Sequence, residues 1–170
     1  MKALAVKYRP TSWSDVTEQD SVCKILNNQI STKTIRNGYL FCGGAGTGKT
    51  TCARIFAKQI NNGKGEPIEL DAASNNSVED VRKVIEQAQT QSLDSEYKVF
   101  ILDECHSLSN QGWQAMLKTL EEPPAKSVFI FCTTNPERIP NTILSRVQRF
   151  NFQRISQSGI IKRLKYILDE

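Results

Sequence analysis

The 170-residue sequence predicts an α/β fold: a five-stranded parallel sheet flanked by helices, with a further helix at its end. Three observations carry that expectation. Short apolar runs recur without polar interruption, as strands buried on both faces require. Amphipathic stretches at helical spacing lie between them, which is the pattern of crossover helices over a parallel sheet. A glycine-rich stretch, Gly43 to Thr50, stands where a strand hands over to a helix.

In chain order, Asp20 to about Ser31 has the spacing of an amphipathic helix. Tyr39-Leu-Phe-Cys42 reads as the first buried strand, and Lys49 to about Gln59 as the helix behind it. Asn61 to Pro67 is a loop by composition. Ile68 to Asp71 is the second strand, and Ser77 is placed to cap a helix that carries Glu79 and Asp80 in its first turn and runs to about Thr90. Val99 to Leu102 is the third strand. Gln111 to Leu120 is the next crossover helix, stopped by Pro123-Pro124. Val128 to Cys132 is the fourth strand and Val147 to Phe152 the fifth. From Ser156 the chain turns helical again, with Ile160, Ile161, Leu164, Ile167 and Leu168 spaced for one buried face. Ligands of such sheets bind outside the carboxyl ends of the strands, so the polar motifs are expected there.

The length suits one domain. No apolar run approaches the roughly 20 residues a membrane span needs, and the N-terminal apolar stretch is too short for a signal peptide. The five cysteines (23, 42, 52, 105 and 132) are odd in number, scattered, and form no Cys-x-x-Cys pair. That argues against a disulfide scaffold or a zinc site and for a reducing, cytoplasmic setting. Net charge is +4, unevenly spread: Glu66 to Glu104 holds ten acidic and three basic side chains, and Lys126 onward eight basic and three acidic. The basic end suits a polyanion, and equally a solvated helix face.

Gly43-Gly-Ala-Gly-Thr-Gly-Lys-Thr50 matches the G-x-x-x-x-G-K-[ST] phosphate loop in the strand-to-helix context it needs. Its backbone N–H groups would close on phosphate oxygens, Lys49 would reach the β- and γ-phosphates, and the Thr50 hydroxyl would hold Mg²⁺. Ile101-Leu-Asp-Glu-Cys-His106 admits several readings. They are a Cys–His nucleophilic pair, a soft-metal site, a helicase box, or two acids at a strand end with Cys105 and His106 as packing. The phosphate loop favours Asp103 as a Mg²⁺ carboxylate and Glu104 as the group that orients or deprotonates water. An extended backbone would put Cys105 and His106 on opposite faces, which disfavours the pair. Thr133-Thr134-Asn135 follows the fourth strand and can hold water or a γ-phosphate, although it is also good turn chemistry. Ser145-Arg146, by spacing alone, is a surface arginine.

Taken together, these residues resemble the gamma/tau family of bacterial DNA polymerase III subunits, the clamp-loader ATPases of AAA+ type. The matching strings are Tyr8-Arg-Pro10 with Asp15-Val16 and Gln19, the phosphate loop, Asp71-Ala-Ala-Ser-Asn-Asn76, Asp103-Glu104 with His106, and Leu117-Lys-Thr-Leu-Glu-Glu-Pro-Pro124. Thr133-Thr134, Ile139-Pro140 and Ile143-Leu-Ser-Arg146 complete the match, which runs over essentially the whole chain. The resemblance implies a P-loop AAA+ core at 1–155 and the first helix of a lid at 156–170. It implies ATP and Mg²⁺ as cofactors, with Tyr8, Arg9, Pro10 and Val16 around adenine and Gly44, Ala45, Gly46, Thr47, Gly48, Lys49, Thr50 and Thr51 around the phosphates. Thr134 matches the first sensor, and Arg146 the arginine finger that acts on the adjacent subunit's ATP. Asn75, Asn76, Ser109 and Lys118 match contacts to primer–template DNA. The implied partners are other clamp-loader subunits in a pentameric spiral, the sliding clamp and that DNA, with no membrane.

Four departures qualify the match. The family's four-cysteine zinc module is absent, Asn61 to Glu66 taking its place, so no zinc is expected. Glu18 stands where the family has glycine, Ser77 replaces a common glycine, and Val147 replaces the cysteine after the finger arginine. In the family the rest of the lid, with a second sensor arginine, and a collar domain follow. The expected activity of these residues alone is therefore weak or absent hydrolysis. Competing readings are another replication-linked AAA+ ATPase, such as a branch-migration motor or a replication factor C small subunit, and a nucleotide-binding scaffold without turnover. A helicase fits less well, since it needs a second motor domain.

Overall fold

The computed structural model describes residues 4–169, apart from the side chain of Ala5. The ends of the two expected spans, at 1–3 and 170, therefore lie outside the described residues. The elements in order are α1 (Leu4–Lys7), α2 (Asp20–Ser31), β1 (Gly38–Cys42), α3 (Lys49–Ile60), β2 (Ile68–Asp71), α4 (Val78–Ala88) and β3 (Lys98–Asp103). They continue with α5 (Asn110–Glu121), β4 (Ser127–Thr133), α6 (Asn141–Leu144), β5 (Gln148–Asn151) and α7 (Gln157–Asp169). The five strands form one sheet in the order β2-β3-β4-β1-β5, with every neighbouring pair parallel.

Alternation along each central strand divides the core in two. Leu40, Phe100, Leu102, Phe129 and Phe131 point to the face covered by α4 and α5, where Val81, Val84, Trp113 and Met116 meet them. Tyr39, Phe41, Val99, Ile101 and Ile130 point to the other face, against Leu26 of α2 and Cys52, Ala53 and Phe56 of α3. Because both faces are covered, the strands carry no polar side of their own, and this is why they read as unbroken apolar runs.

Local chemistry sets the element ends. Ser77 caps α4: its hydroxyl accepts from the Asp80 N–H at 3.2 Å, and the Asp80 carboxylate takes the Ser77 N–H in return. That cap needs φ −73° at Ser77, which any residue adopts, so the serine costs nothing where a glycine is common. Ser109 caps α5 by accepting from the Gly112 N–H. Asn61 closes the loop before β2 by pairing its side-chain amide with both backbone groups of Tyr97. Val147 packs with the α5-side core beside Gly38, so an apolar side chain serves there in place of cysteine.

Two expectations need correction. The apolar stripe of α7 is not a buried face: Ile160, Ile161, Leu164 and Leu168 are exposed, the last at 82%, and among the described residues of this helix only Gly159 is buried. Spacing alone misassigned those four, whereas Ile167 is partly buried and faces the Tyr8–Pro10 segment. The second correction is that Cys105 to Ser107 form a 3-10 turn and not the extended backbone assumed from the sequence. No helix among the described residues is long and apolar enough to cross a membrane.

Candidate nucleotide site

The site assembles at the carboxyl end of β1. Gly46 and Gly48 have φ of +73° and +93°, a left-handed region where a side chain would be strained, so the loop can wrap back on itself only with glycine there. Gly48 is the N-cap of α3, which leaves the first N–H groups of that helix directed into the loop. Lys49 is buried at 6% exposure and donates from Nζ to the carbonyls of Gly43 and Gly44, both at 2.8 Å. Thr47 closes the turn by donating to the Gly44 carbonyl, while Ala45 at the tip is exposed.

The two acidic residues reach this loop from the carboxyl end of β3, one strand beyond β4. Thr50 Oγ1 donates to Asp103 Oδ2 at 2.7 Å, joining residues 53 apart in sequence. Two hard oxygen donors held this close fit the needs of a Mg²⁺ ion, which Thr50 and Asp103 would help to hold. Glu104 has φ +47° and ψ +42°, and its N–H donates to Asp103 Oδ1 at 3.0 Å. Its carboxylate oxygen Oε2 accepts from Thr134 Oγ1 at 3.1 Å and lies 3.4 Å from His106 Nδ1. Residues from β1, β3 and β4 thus converge on one point, as the order of those strands demands.

Beside the phosphate loop lies a cavity of about 450 Å³ lined by Tyr8, Arg9, Pro10 and Val16 together with Gly46, Thr47, Gly48 and Thr51. Three further residues, Ile155, Arg163 and Ile167, come from the end of the chain; the sequence marked Ile167 only as part of an apolar stripe and gave no sign of the other two. Arg163 is one of several basic residues on α7, and it is singled out only by its fold position, where it donates to the Tyr8 carbonyl at 2.8 Å. Gln19, buried at 3%, donates to the carbonyls of Thr47 and Gln153 and accepts from the Gln153 N–H, tying the phosphate loop to the segment after β5. Glu18 adopts φ +56°, which explains the advantage of glycine at this position. Its carboxylate accepts from the Ser156 N–H at 2.6 Å and the Ser156 hydroxyl at 2.5 Å, at the start of α7. These two hydrogen bonds hold the Glu18 carboxyl below the usual glutamate range.

The remaining candidates lie elsewhere. Asn75, Asn76 and Ser109 come together: the Asn75 amide donates to the Asp71 carbonyl, and the Ser109 N–H donates to the Asn76 carbonyl. Lys118 is exposed on α5, nine residues beyond Ser109, or ~13 Å along the helix axis. Arg146 is the exception to the expectation that polar motifs sit at carboxyl strand ends. Its carbonyl adjoins Gly38, at the opposite end of β1 from the phosphate loop, and its guanidinium pairs with Glu121 at 2.6 Å. A strand of that length separates it from its own nucleotide loop by ~13 Å.

The nucleophile reading of Cys105 and His106 loses its basis. Cys105 is fully buried, and burial pushes its thiol well above the usual range, so no thiolate nucleophile forms. No cluster of three or more metal-ligating side chains exists among the described residues.

Phosphate loop, strand-end carboxylates and five-stranded parallel sheet together define a P-loop nucleotide-binding core of the AAA+ class. The fold is shared by the Thermotoga maritima RuvB Holliday junction branch migration motor, with TM-score 0.76 and 19% identity over 95% of this chain and 55% of that one. A gamma subunit-related DNA polymerase III protein of the same organism aligns with TM-score 0.64 and 20% identity over 85% of this chain and 53% of that one. The chain belongs to the DNA polymerase III subunit family: the family described as DNA polymerase III, delta subunit, matches residues 68–156, just over half of it. Within that family its sequence is similar to tau and gamma subunits. It is 41% identical to subunit tau of Bacillus subtilis over 99% of this chain and 34% of that protein. It is 37% identical to subunit tau of Escherichia coli over 99% of this chain and 30% of that protein. The chain thus spans about a third of the length of these relatives. The alignment to the first covers 189 positions, so that relative has residues with no counterpart among the 170 here.

Proposed function

We propose that this chain is the ATP-binding and ATP-hydrolysing motor module of a DNA-replication clamp loader. In this reading residues 1–155 are the core and 156–170 the start of the lid. The observation that supports it most is the 2.7 Å bond from Thr50 to Asp103 with Glu104 alongside, held by Thr134. Adenine packs among Tyr8, Arg9, Pro10 and Val16, and the triphosphate lies over the N-terminus of α3, where its charge meets the helix dipole. Lys49 leaves the Gly43 and Gly44 carbonyls for the β- and γ-phosphates. Thr50 and Asp103 hold Mg²⁺, which when bound neutralises charge on the phosphate oxygens. Glu104 accepts a hydrogen bond from the attacking water and aligns it, and Thr134 fixes that carboxylate.

Arg146, ~13 Å from its own phosphate loop, acts on the ATP of an adjacent subunit, so efficient turnover needs an assembly. In that step it leaves Glu121 and places its charge against the transferring phosphoryl group. Asn75, Asn76, Ser109 and Lys118 contact the phosphates of primer–template DNA. ATP binding assembles the subunits and opens the sliding clamp, and hydrolysis releases it. The test is ATP turnover by the complete chain in its subunit assembly, with and without a sliding clamp and primed DNA. We expect stimulation by both together; none would remove the clamp-loading reading.

A further inference from the structure

His106 is a polar side chain beside Glu104 that the proposed chemistry does not use. Its surroundings specify a use. Glu104 has a fixed backbone: its N–H bonds Asp103 Oδ1, and its carbonyl accepts from the Ser107 N–H at 3.0 Å. Its side chain, by contrast, is long and only half-buried, with 37% exposure. One lateral restraint is Thr134, but that hydroxyl has a single hydrogen and two acceptors in reach, Glu104 Oε2 at 3.1 Å and Asn135 Oδ1 at 3.0 Å. The restraint on the carboxylate is therefore divided.

The second restraint is the imidazole. His106 is itself held: its side chain is 14% exposed, and its Nδ1 lies 3.0 Å from the hydroxyl of fully buried Thr133. That hydroxyl oxygen already accepts from the Asn135 N–H at 3.0 Å. The Nδ1 atom also faces Glu104 Oε2 at 3.4 Å. With hydrogen on Nδ1, the tautomer that a carboxylate so near favours, this N–H has two acceptors in reach, the Thr133 hydroxyl at 3.0 Å and Glu104 Oε2 at 3.4 Å. Thr134 and His106 thus both act on Oε2, while Oε1 accepts no hydrogen bond from any described residue.

We propose that His106 is a positioning residue for Glu104: its Nδ1–H holds Oε2, so that the carboxylate presents Oε1 to the attacking water. The histidine sits in the 3-10 turn Cys105–Ser107, three residues before Ser109, whose N–H is bonded to the Asn76 carbonyl. A phosphate that shifts the start of α5 would move this turn, and with it the orientation of Glu104. His106 thereby joins the candidate DNA contacts to the hydrolytic carboxylate through one short rigid segment.

This inference rests on the reading of Glu104 as the group that aligns water, and the experiment separates the two. Steady-state turnover and ATP affinity are measured for the complete chain in its subunit assembly, for the parent protein and for Glu104→Gln, His106→Gln and His106→Asn. Glutamine fills the space of the ring but carries its amide near the position of Nε2, whereas asparagine places an amide N–H near that of Nδ1. Expected for His106→Gln is a fall in kcat of about tenfold or more, the scale of a misplaced catalytic group, with ATP affinity within about twofold of the parent. His106→Asn is expected to recover to within about threefold of the parent kcat. Turnover by His106→Gln at the parent rate, with Glu104→Gln inert, would overturn the positioning role. Equal loss in the glutamine and asparagine variants would overturn it too, since a packing role does not distinguish them. Parent-rate turnover by Glu104→Gln would instead remove the reading of Glu104.

Discussion

A single hydrogen, on the hydroxyl of Thr50, joins the phosphate loop to the acidic strand end, and at this scale the site is a set of paired oxygens. Removing one partner leaves the other, in the Thr50–Asp103 case part-buried, without its hydrogen bond. Arg146→Ala is accordingly expected to leave ATP binding within about twofold while abolishing turnover in the assembly, because its guanidinium meets Glu121 and not its own loop; equilibrium binding and turnover on one preparation check this. Glu18 offers a pH test. Its folded-state carboxyl lies below the ordinary range because Ser156 stabilises the ionised form. A depressed carboxylate contributes stability above its unfolded value and loses it as pH falls through the lower folded value. The difference in Tm between the parent and Glu18→Gln should therefore be present at neutral pH and disappear as pH falls below the usual glutamate range. A difference independent of pH would show that the contact to Ser156 is not ionic. The phosphate-loop and strand-end residues were legible in the sequence because their chemistry demands fixed types at fixed spacing. Glu18, Arg163 and the contacts of His106 were not, since each depends on segments far apart in the chain, 138 and 155 residues in the first two cases.

The strands and long helices were readable to within a residue or two for a different reason. Burial on both sheet faces turns each strand into an apolar run, and caps such as Ser77 and Ser109 mark helix starts by local hydrogen bonding. Short pieces such as α1, α6 and the 3-10 turns carry no such signal, because they are held by what they pack against. Helix α7 was legible as a helix but not in its exposure, since periodicity reports an apolar stripe and not what covers it. Ser77→Ala tests an element directly. Loss of the capping hydroxyl should cost about 1 kcal/mol in urea unfolding, with no change in ATP affinity. No change in the unfolding midpoint would mean that the Ser77–Asp80 exchange does not support α4.

For the whole molecule, the strand order β2-β3-β4-β1-β5 is what gathers β1, β3 and β4 into one crevice, and no local pattern in the chain announces that order. Its stability comes from two apolar layers, one on each face. Phe129, fully buried and stacked on Phe100 at 5.2 Å, is a fair probe of the α5-side layer. Phe129→Ala should destabilise the fold by about 3–5 kcal/mol in chemical denaturation, and a cost under about 1 kcal/mol would contradict the packing described. In the proposed function this sheet presents a Mg²⁺–nucleotide site built around Lys49, Thr50 and Asp103. Its most direct test is calorimetric ATP affinity, with and without Mg²⁺, for the parent chain and Lys49→Ala. Expected are Mg²⁺-dependent binding by the parent and at least about tenfold weaker binding by the variant, the loss of one charge-assisted contact. Equal affinity in the two proteins would contradict this reading.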